Sequence, residues 1–246
     1  MKFILATLLG FMVGISGTII GGLIALGRGR SSPEKQGWLL GFSGGIMIAV
    51  VFYDLWPEAW HYGGLSPTLI GTGAGLFLVH FADPIFKLIP WYKQHQFSRI
   101  IKTGILLGLG IAVHNFPEGV ALGTTYITAR GVENWPGLAL LMAIHNIPEG
   151  MAMASSLKLG RVHPAKIITA LILVEIPMAL GGAIGAFLGN LSAEMGSISL
   201  GFAGGAMFLL ALKELLPLAK KLGGFIPVGS GFVVGLFTGI FMTWIS

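Results

Sequence analysis

The 246-residue chain has no cysteine. That removes disulfides, thiolate metal ligands and thiol nucleophiles from consideration. Charge is scarce too: 10% of the residues are Asp, Glu, Lys or Arg, against about 25% in an average soluble domain. A deficit of that size points to a lipid bilayer as the solvent. No Lys or Arg falls near the middle of any long apolar run, so an acidic group at that depth has no fixed counter-charge. There is no basic–aromatic surface motif, and the net charge of +5 calls for no nucleic-acid partner.

What is present is apolar sequence in runs of membrane length. About 20 helical residues at 1.5 Å each cross roughly 30 Å of hydrocarbon. Eight runs fit: Phe3–Leu26, Trp38–Ala59, Ser66–Phe86, Ile100–Thr128, Trp135–Leu157, Ala165–Gly189, Ser197–Leu218 and Phe225–Trp244. The first begins after Lys2 like a signal peptide, but it outruns an h-region, is studded with glycine and ends in a basic loop, so it reads as a span. The 39 glycines lie mostly inside these runs, where small residues let helices approach closely in lipid. The expected fold is an all-α integral membrane protein forming one polytopic domain over residues 1–246.

The basic residues orient it. Arg28, Arg30, Lys35, Lys87, Lys93, Arg99, Lys102, Lys158, Arg161, Lys166, Lys213, Lys220 and Lys221 fall on one face, and only Lys2 and Arg130 on the other. By the positive-inside rule the first face is cytoplasmic and both termini lie outside a cell membrane.

Two repeats cross this pattern. "GFSGGIMIAVVFYDLWPEA", Gly41 to Ala59, matches "GFAGGAMFLLALKELLPLA", Gly201 to Ala219, at a constant offset of 160. Span 2 therefore corresponds to span 7. Span 7 is the fifth span after span 2, an odd step, so the copies are inverted, the arrangement of transporters whose site lies at the midplane between halves. This predicts eight transmembrane helices as three, two and three: a first repeat of about residues 1–90, a central pair of about 100–158, and a second repeat of about 165–246. The other repeat is shorter: "AVHNFPEGVALG", Ala112 to Gly123, is followed about thirty residues later by "AIHNIPEGMAMA", Ala143 to Ala154.

On a helix, residues four apart share a face. His114 and Glu118 therefore point together with Asn115 alongside, as do His145 and Glu149 with Asn146. A carboxylate near mid-membrane is costly unless neutralised, and such groups are functional candidates. With no fixed cation at that depth, a bound one is the expected partner. Imidazole, amide and carboxylate without sulfur suit divalent zinc, iron, manganese or cobalt. Pro117 and Pro148 should kink their helices and free the carbonyls of Val113 and Ile144 beside these ligands. Glu175, two residues before Pro177, reads as a third wall of the same site. Asp54 and Glu214, off the midplane on the two inverted copies, are expected at the two mouths of the path, which Met47 and Met207 would line. Glu58, His61, His80, Asp83, His95 and His163 read as interfacial or solvated.

"HNFPEG" at His114–Gly119 and "HNIPEG" at His145–Gly150, with "EIP" at Glu175–Pro177 and "DLWPEA" at Asp54–Ala59, resemble the ZIP (Zrt/Irt-like) family of divalent metal transporters, particularly its bacterial ZupT-like branch. The resemblance implies zinc or another divalent ion (Fe2+, Mn2+, Co2+ or Cd2+) carried into the cytoplasm as substrate, with no prosthetic group. It implies a binuclear site: His114, Glu118, His145 and Glu149 on one ion, Asn115, Asn146 and Glu175 on the other, with Glu118 and Glu149 bridging. It also implies an elevator-like slide of helix groups and a homodimer. The histidine-rich loop of many eukaryotic relatives is missing between spans 3 and 4, where only His95 occurs.

Two other functions compete. An intramembrane metal-dependent hydrolase would also bury a metal between His-bearing helices, but its His-Glu-x-x-His signature places a general base beside the first His. Here Asn stands there. A channel for another cation shares every feature above.

Overall fold

A computed structural model of the chain describes residues 2–27, 32–86, 99–128 and 131–245; the side chains of His114 and Glu214 are among those outside the description. Arg28, Arg30, Lys87, Lys93, His95 and Arg130, used above for orientation and loop chemistry, also lie outside the described residues.

Every described element is helical. The order is α1 (Lys2–Gly27), α2 (Pro33–Val50), a π turn (Val51–Leu55), α3 (Trp56–Gly63), α4 (Leu65–Phe86), α5 (Arg99–Ile127), α6 (Gly131–Leu159), α7 (Pro164–Leu173), α8 (Ile176–Leu191), α9 (Ala193–Leu210), a second π turn (Ala211–Leu215), α10 (Leu216–Gly223) and α11 (Phe225–Ile245). Helices are the expected solution in lipid, because they satisfy their backbone polar groups internally. Among the described residues five stretches are long and apolar enough to cross a membrane: Lys2–Gly27, Pro33–Gly63, Pro164–Leu191, Ala193–Gly223 and Phe225–Trp244. Leu65–Phe81 is a shorter apolar helix. The two motif-bearing helices, α5 and α6, are 29 residues long each.

The 160-residue offset governs far more than one pair of spans. Ser32 and Ser192 cap α2 and α9, each accepting a hydrogen bond from the backbone three residues on. These caps start both helices several residues before the apolar runs, which begin at Trp38 and Ser197. The π turns at Val51–Leu55 and Ala211–Leu215 correspond, and each is followed by a proline, Pro57 or Pro217, in the first turn of the next helix. Both copies then end at a glycine with positive φ, Gly64 at +92° and Gly224 at +81°. Only glycine adopts that conformation without steric cost.

Packing repeats with the same offset. Gly71 lies against the carbonyl of Ile198, and Gly231 against that of Trp38. Gly75 lies against Phe202 and Gly235 against Phe42 in the same manner. A Cβ at any of the four would overlap a carbonyl oxygen. Gly21 of α1 and Gly181 of α8 likewise abut the carbonyls of Ile147 and Phe116, the residues just before the two motif prolines. The closest helix contacts are accordingly paired: α2 with α11 and α9 with α4, α1 with α6 and α5 with α8. The inner group of α1, α5, α6 and α8 encloses both motifs.

Pro117 and Pro148 lie inside α5 and α6, which run through them. One missing amide hydrogen leaves the flanking hydrogen bonds intact, so the helix continues. An interruption that the sequence did not signal falls on the sixth span, between α7 and α8, where Val174 and Glu175 have φ/ψ of −70°/−12° and −90°/−11°. Pro177 sits in the first turn of α8, where it needs no donor.

Candidate metal site

The inner helices bring the polar residues of three spans into one buried cluster. Asn115, Glu118, His145, Asn146, Glu149 and Glu175 are all fully buried. His145 Nε2 lies 3.0 Å from Glu118 Oε1, joining the α5 motif to the α6 motif. The other ring nitrogen, Nδ1, lies 3.2 Å from the Leu141 carbonyl oxygen. A carbonyl only accepts, so Nδ1 carries hydrogen and Nε2 is directed at the carboxylate. A metal-ligating histidine is commonly oriented in this manner, with a backbone oxygen behind it.

The break in the sixth span supplies the next contact. Met178 N bonds to the Glu175 carbonyl, which leaves the Val174 carbonyl without its usual helical donor. Asn115 Nδ2 donates to that oxygen at 2.9 Å. The amide oxygen of the same side chain, Oδ1, has no hydrogen-bond partner. Under the repeat, the position on α1 equivalent to Val174 is Gly14. There the helix is unbroken and offers no free carbonyl. Asn146, the counterpart of Asn115, accordingly has both amide atoms unpartnered.

Two hydroxyls complete the cluster. Thr18 Oγ1 donates to Glu175 Oε1 at 2.5 Å. Ser43 Oγ donates to Glu149 Oε1 at 2.5 Å and lies 3.2 Å from the His145 carbonyl oxygen. Glu118 Oε2 and Glu175 Oε2 remain buried without a hydrogen-bond partner. Glu149 is within electrostatic reach of His145, and both Glu118 and Glu149 are within reach of Glu175.

Of the four side chains expected on one ion, Glu118 and His145 meet directly, Glu149 is turned to Ser43, and the His114 side chain lies outside the described residues. Among the described residues no three His, Asp or Glu side chains form a ready-made cage. The cluster instead holds four carboxylate and amide oxygens without donors: Asn115 Oδ1, Glu118 Oε2, Asn146 Oδ1 and Glu175 Oε2. Unpaired acceptors in a buried interior are costly, and their chemistry matches a hard or borderline divalent cation.

Comparison with known proteins decides the family. The ZIP zinc transporter family profile matches residues 92–243, more than half of the chain. Zinc transporter ZupT of Enterobacter sp. is 34% identical over 222 residues, covering 83% of both chains. ZupT of Salmonella arizonae is 34% identical over 220 residues and that of Escherichia fergusonii 32% over 219, each again covering 83% of both chains. The chain belongs to the ZIP family.

As a ZupT-like ZIP protein it is a multi-pass membrane transporter and not an enzyme. The intramembrane hydrolase is thereby set aside. The remaining sequence candidates whose side chains are described fall outside the cluster. Met47 and Met207 are fully buried in the hydrophobic core. Asp54 is half-buried in the first π turn, with Glu58 as its electrostatic neighbour. Glu214 occupies the equivalent position of the second π turn, and its side chain lies outside the described residues. His80 pairs with Lys213 at 2.8 Å, and His163 caps α7.

Sequence reasoning missed Thr18 and Ser43. A lone hydroxyl on an apolar helix has no periodicity to mark it. The one available signal was the mismatch between "GFSGG" and "GFAGG", which sets Ser43 against Ala203 in otherwise matching segments.

Proposed function

We propose that this ZIP protein carries zinc into the cytoplasm through the buried cluster of Asn115, Glu118, His145, Asn146, Glu149 and Glu175, with His114 as a further ligand. One observation carries the reading: Asn115 Oδ1, Glu118 Oε2, Asn146 Oδ1 and Glu175 Oε2 are buried together in one cluster without hydrogen-bond partners. The zinc-transporter names of the relatives support zinc as the cargo. The nitrogen–oxygen donor set, free of sulfur, also accepts iron, manganese, cobalt and cadmium ions.

Two ions fit the donor count. The first takes His114, Glu118, His145 and Glu149; the second takes Asn115, Asn146 and Glu175, with Glu118 and Glu149 bridging. Asp54 and Glu214 stand at the outer and cytoplasmic mouths, with Met47 and Met207 along the path. The chain forms one polytopic domain of eight spans arranged three, two and three as inverted repeats, with both termini outside the cell membrane. The paired contacts at an offset of 160 residues support that arrangement. Transport proceeds by a slide of the inner helix group against the outer pairs, in a homodimer.

The test is uptake by purified protein in sealed liposomes. Saturable zinc uptake is expected, with loss in Glu118→Ala and Glu149→Ala protein that still inserts. Undiminished uptake by both variants would overturn the assignment of this site. Uptake that never saturates would favour a channel.

A further inference from the structure

We propose that Thr18 and Ser43 are positioning residues for the site: each holds one oxygen of a ligand carboxylate, and Thr18 does so while Glu175 Oε2 stays available to the ion. The inference rests on the zinc-transport reading above and adds two residues that the HNxPEG and EIP motifs do not contain.

The geometry is specific. Both hydroxyl-bearing residues are fully buried, and each makes a 2.5 Å hydrogen bond to one carboxylate oxygen, Thr18 to Glu175 Oε1 and Ser43 to Glu149 Oε1. Charge-assisted hydrogen bonds of this kind are roughly twice as strong as neutral ones. The Thr18 contact has a second element. Gly14, one turn before Thr18 on α1, lies against Glu175 Oε2, so closely that a Cβ there would overlap the oxygen. Gly14 makes room for the carboxylate and Thr18 fixes its rotation. Ser43 donates its single hydroxyl proton to Glu149 Oε1 from α2, with the same hydroxyl oxygen 3.2 Å from the His145 carbonyl oxygen, one turn before Glu149.

The repeat shows that these hydroxyls are not generic helix-packing groups. At an offset of 160, Ser43 corresponds to Ala203 and Thr18 to Met178. Neither counterpart can donate a hydrogen bond, although both are buried in the equivalent packing. The position on α1 equivalent to Glu175 is Ile15. The halves therefore divide the work: the first repeat supplies the hydroxyls and the second supplies the third carboxylate. Carboxylates that bind a metal gain affinity when a supporting shell fixes them, and removing such support typically costs 10–100-fold in metal affinity.

The test uses the full-length protein in liposomes, with zinc as the probe, and reads KM and maximal rate per reconstituted molecule. Ser43→Ala copies the residue that the other repeat already accommodates, and Thr18→Val keeps the shape. Each is expected to raise the KM for zinc about tenfold and to leave the maximal rate within about twofold. Ser43→Thr and Thr18→Ser retain the donor and should return KM to near the parent value. If Ser43→Ala fails to reconstitute, Ser43→Cys retains the volume with a weaker donor and reads the same shift. Unchanged KM in the variants lacking the donor, with saturable uptake by the parent, overturns the proposal. So does an equal loss of rate in Ser43→Ala and Ser43→Thr, which would mark a packing role. Absence of saturable zinc uptake by the parent itself contradicts the transport reading instead.

Discussion

The side-chain amide of Asn115 donates to the Val174 carbonyl at 2.9 Å, so the break in the sixth span and the α5 motif are parts of one structure. Asn146 has no such partner. Replacing each asparagine with leucine should therefore give opposite results for stability. Asn115→Leu leaves a buried carbonyl unpaired and is expected to cost about 1–3 kcal/mol. Asn146→Leu removes an already unpaired group and should leave stability unchanged or raised. Unfolding in detergent, followed for both variants, checks the contrast. Zinc uptake should fall in both.

The inverted arrangement makes a labelling prediction, for which the absence of native cysteine is convenient. Ser66→Cys, after the turn at Gly64, should react with an impermeant thiol reagent from outside. Ile226→Cys, its counterpart at an offset of 160, should react only from the cytoplasmic side. Labelling of both from one side would rule out inversion.

Much of the fold was legible because spans leave a strong compositional trace. The doubled HNxPEG motif, Glu175 before its proline, and the match of span 2 to span 7 all pointed to residues that the structure clusters or aligns. The offset of 160 went unnoticed beyond that match, in Pro67 and Pro227 or Gly71 and Gly231, because glycine and proline in apolar helices resemble chance composition. The break at Val174 and Glu175 was not foreseen for a physical reason. All three prolines lack the same hydrogen, and the neighbouring contacts decide which helix opens: Met178 N turns to the Glu175 carbonyl, and the Val174 carbonyl it leaves meets Asn115. Thr18 and Ser43 were invisible because their importance lies in what they face.

Glycines at helix crossings should be far less replaceable than those facing open space. Gly21 and Gly181 abut carbonyls of α6 and α5, whereas Gly73 and Gly229 have nothing nearby. Gly181→Val is expected to destabilise by about 1–3 kcal/mol through overpacking. Gly73→Ala and Gly229→Ala should change stability by no more than about 0.5 kcal/mol. Thermal unfolding of the three variants in one detergent makes the comparison.

Lys158 closes the end of α1. Its Nζ lies 3.1 Å from the Ala25 carbonyl oxygen and 2.8 Å from that of Leu26, donating to backbone groups that the helix end leaves open. Lys158→Met keeps the apolar stem and removes these bonds. A loss of about 1 kcal/mol is expected, with zinc KM unchanged because the contact is remote from the cluster. A changed KM would show coupling between this helix end and the site.

The central claim is that the buried carboxylates and imidazoles hold the ion during passage. X-ray absorption at the zinc edge on the purified, zinc-loaded protein tests it most directly. The account predicts a shell of nitrogen and oxygen only, at about 2.0–2.2 Å, with an imidazole signature that is lost together with bound zinc in the Glu118→Ala, Glu149→Ala double variant. Zinc retained by the double variant with the same spectrum, or a parent protein that binds none, would contradict it.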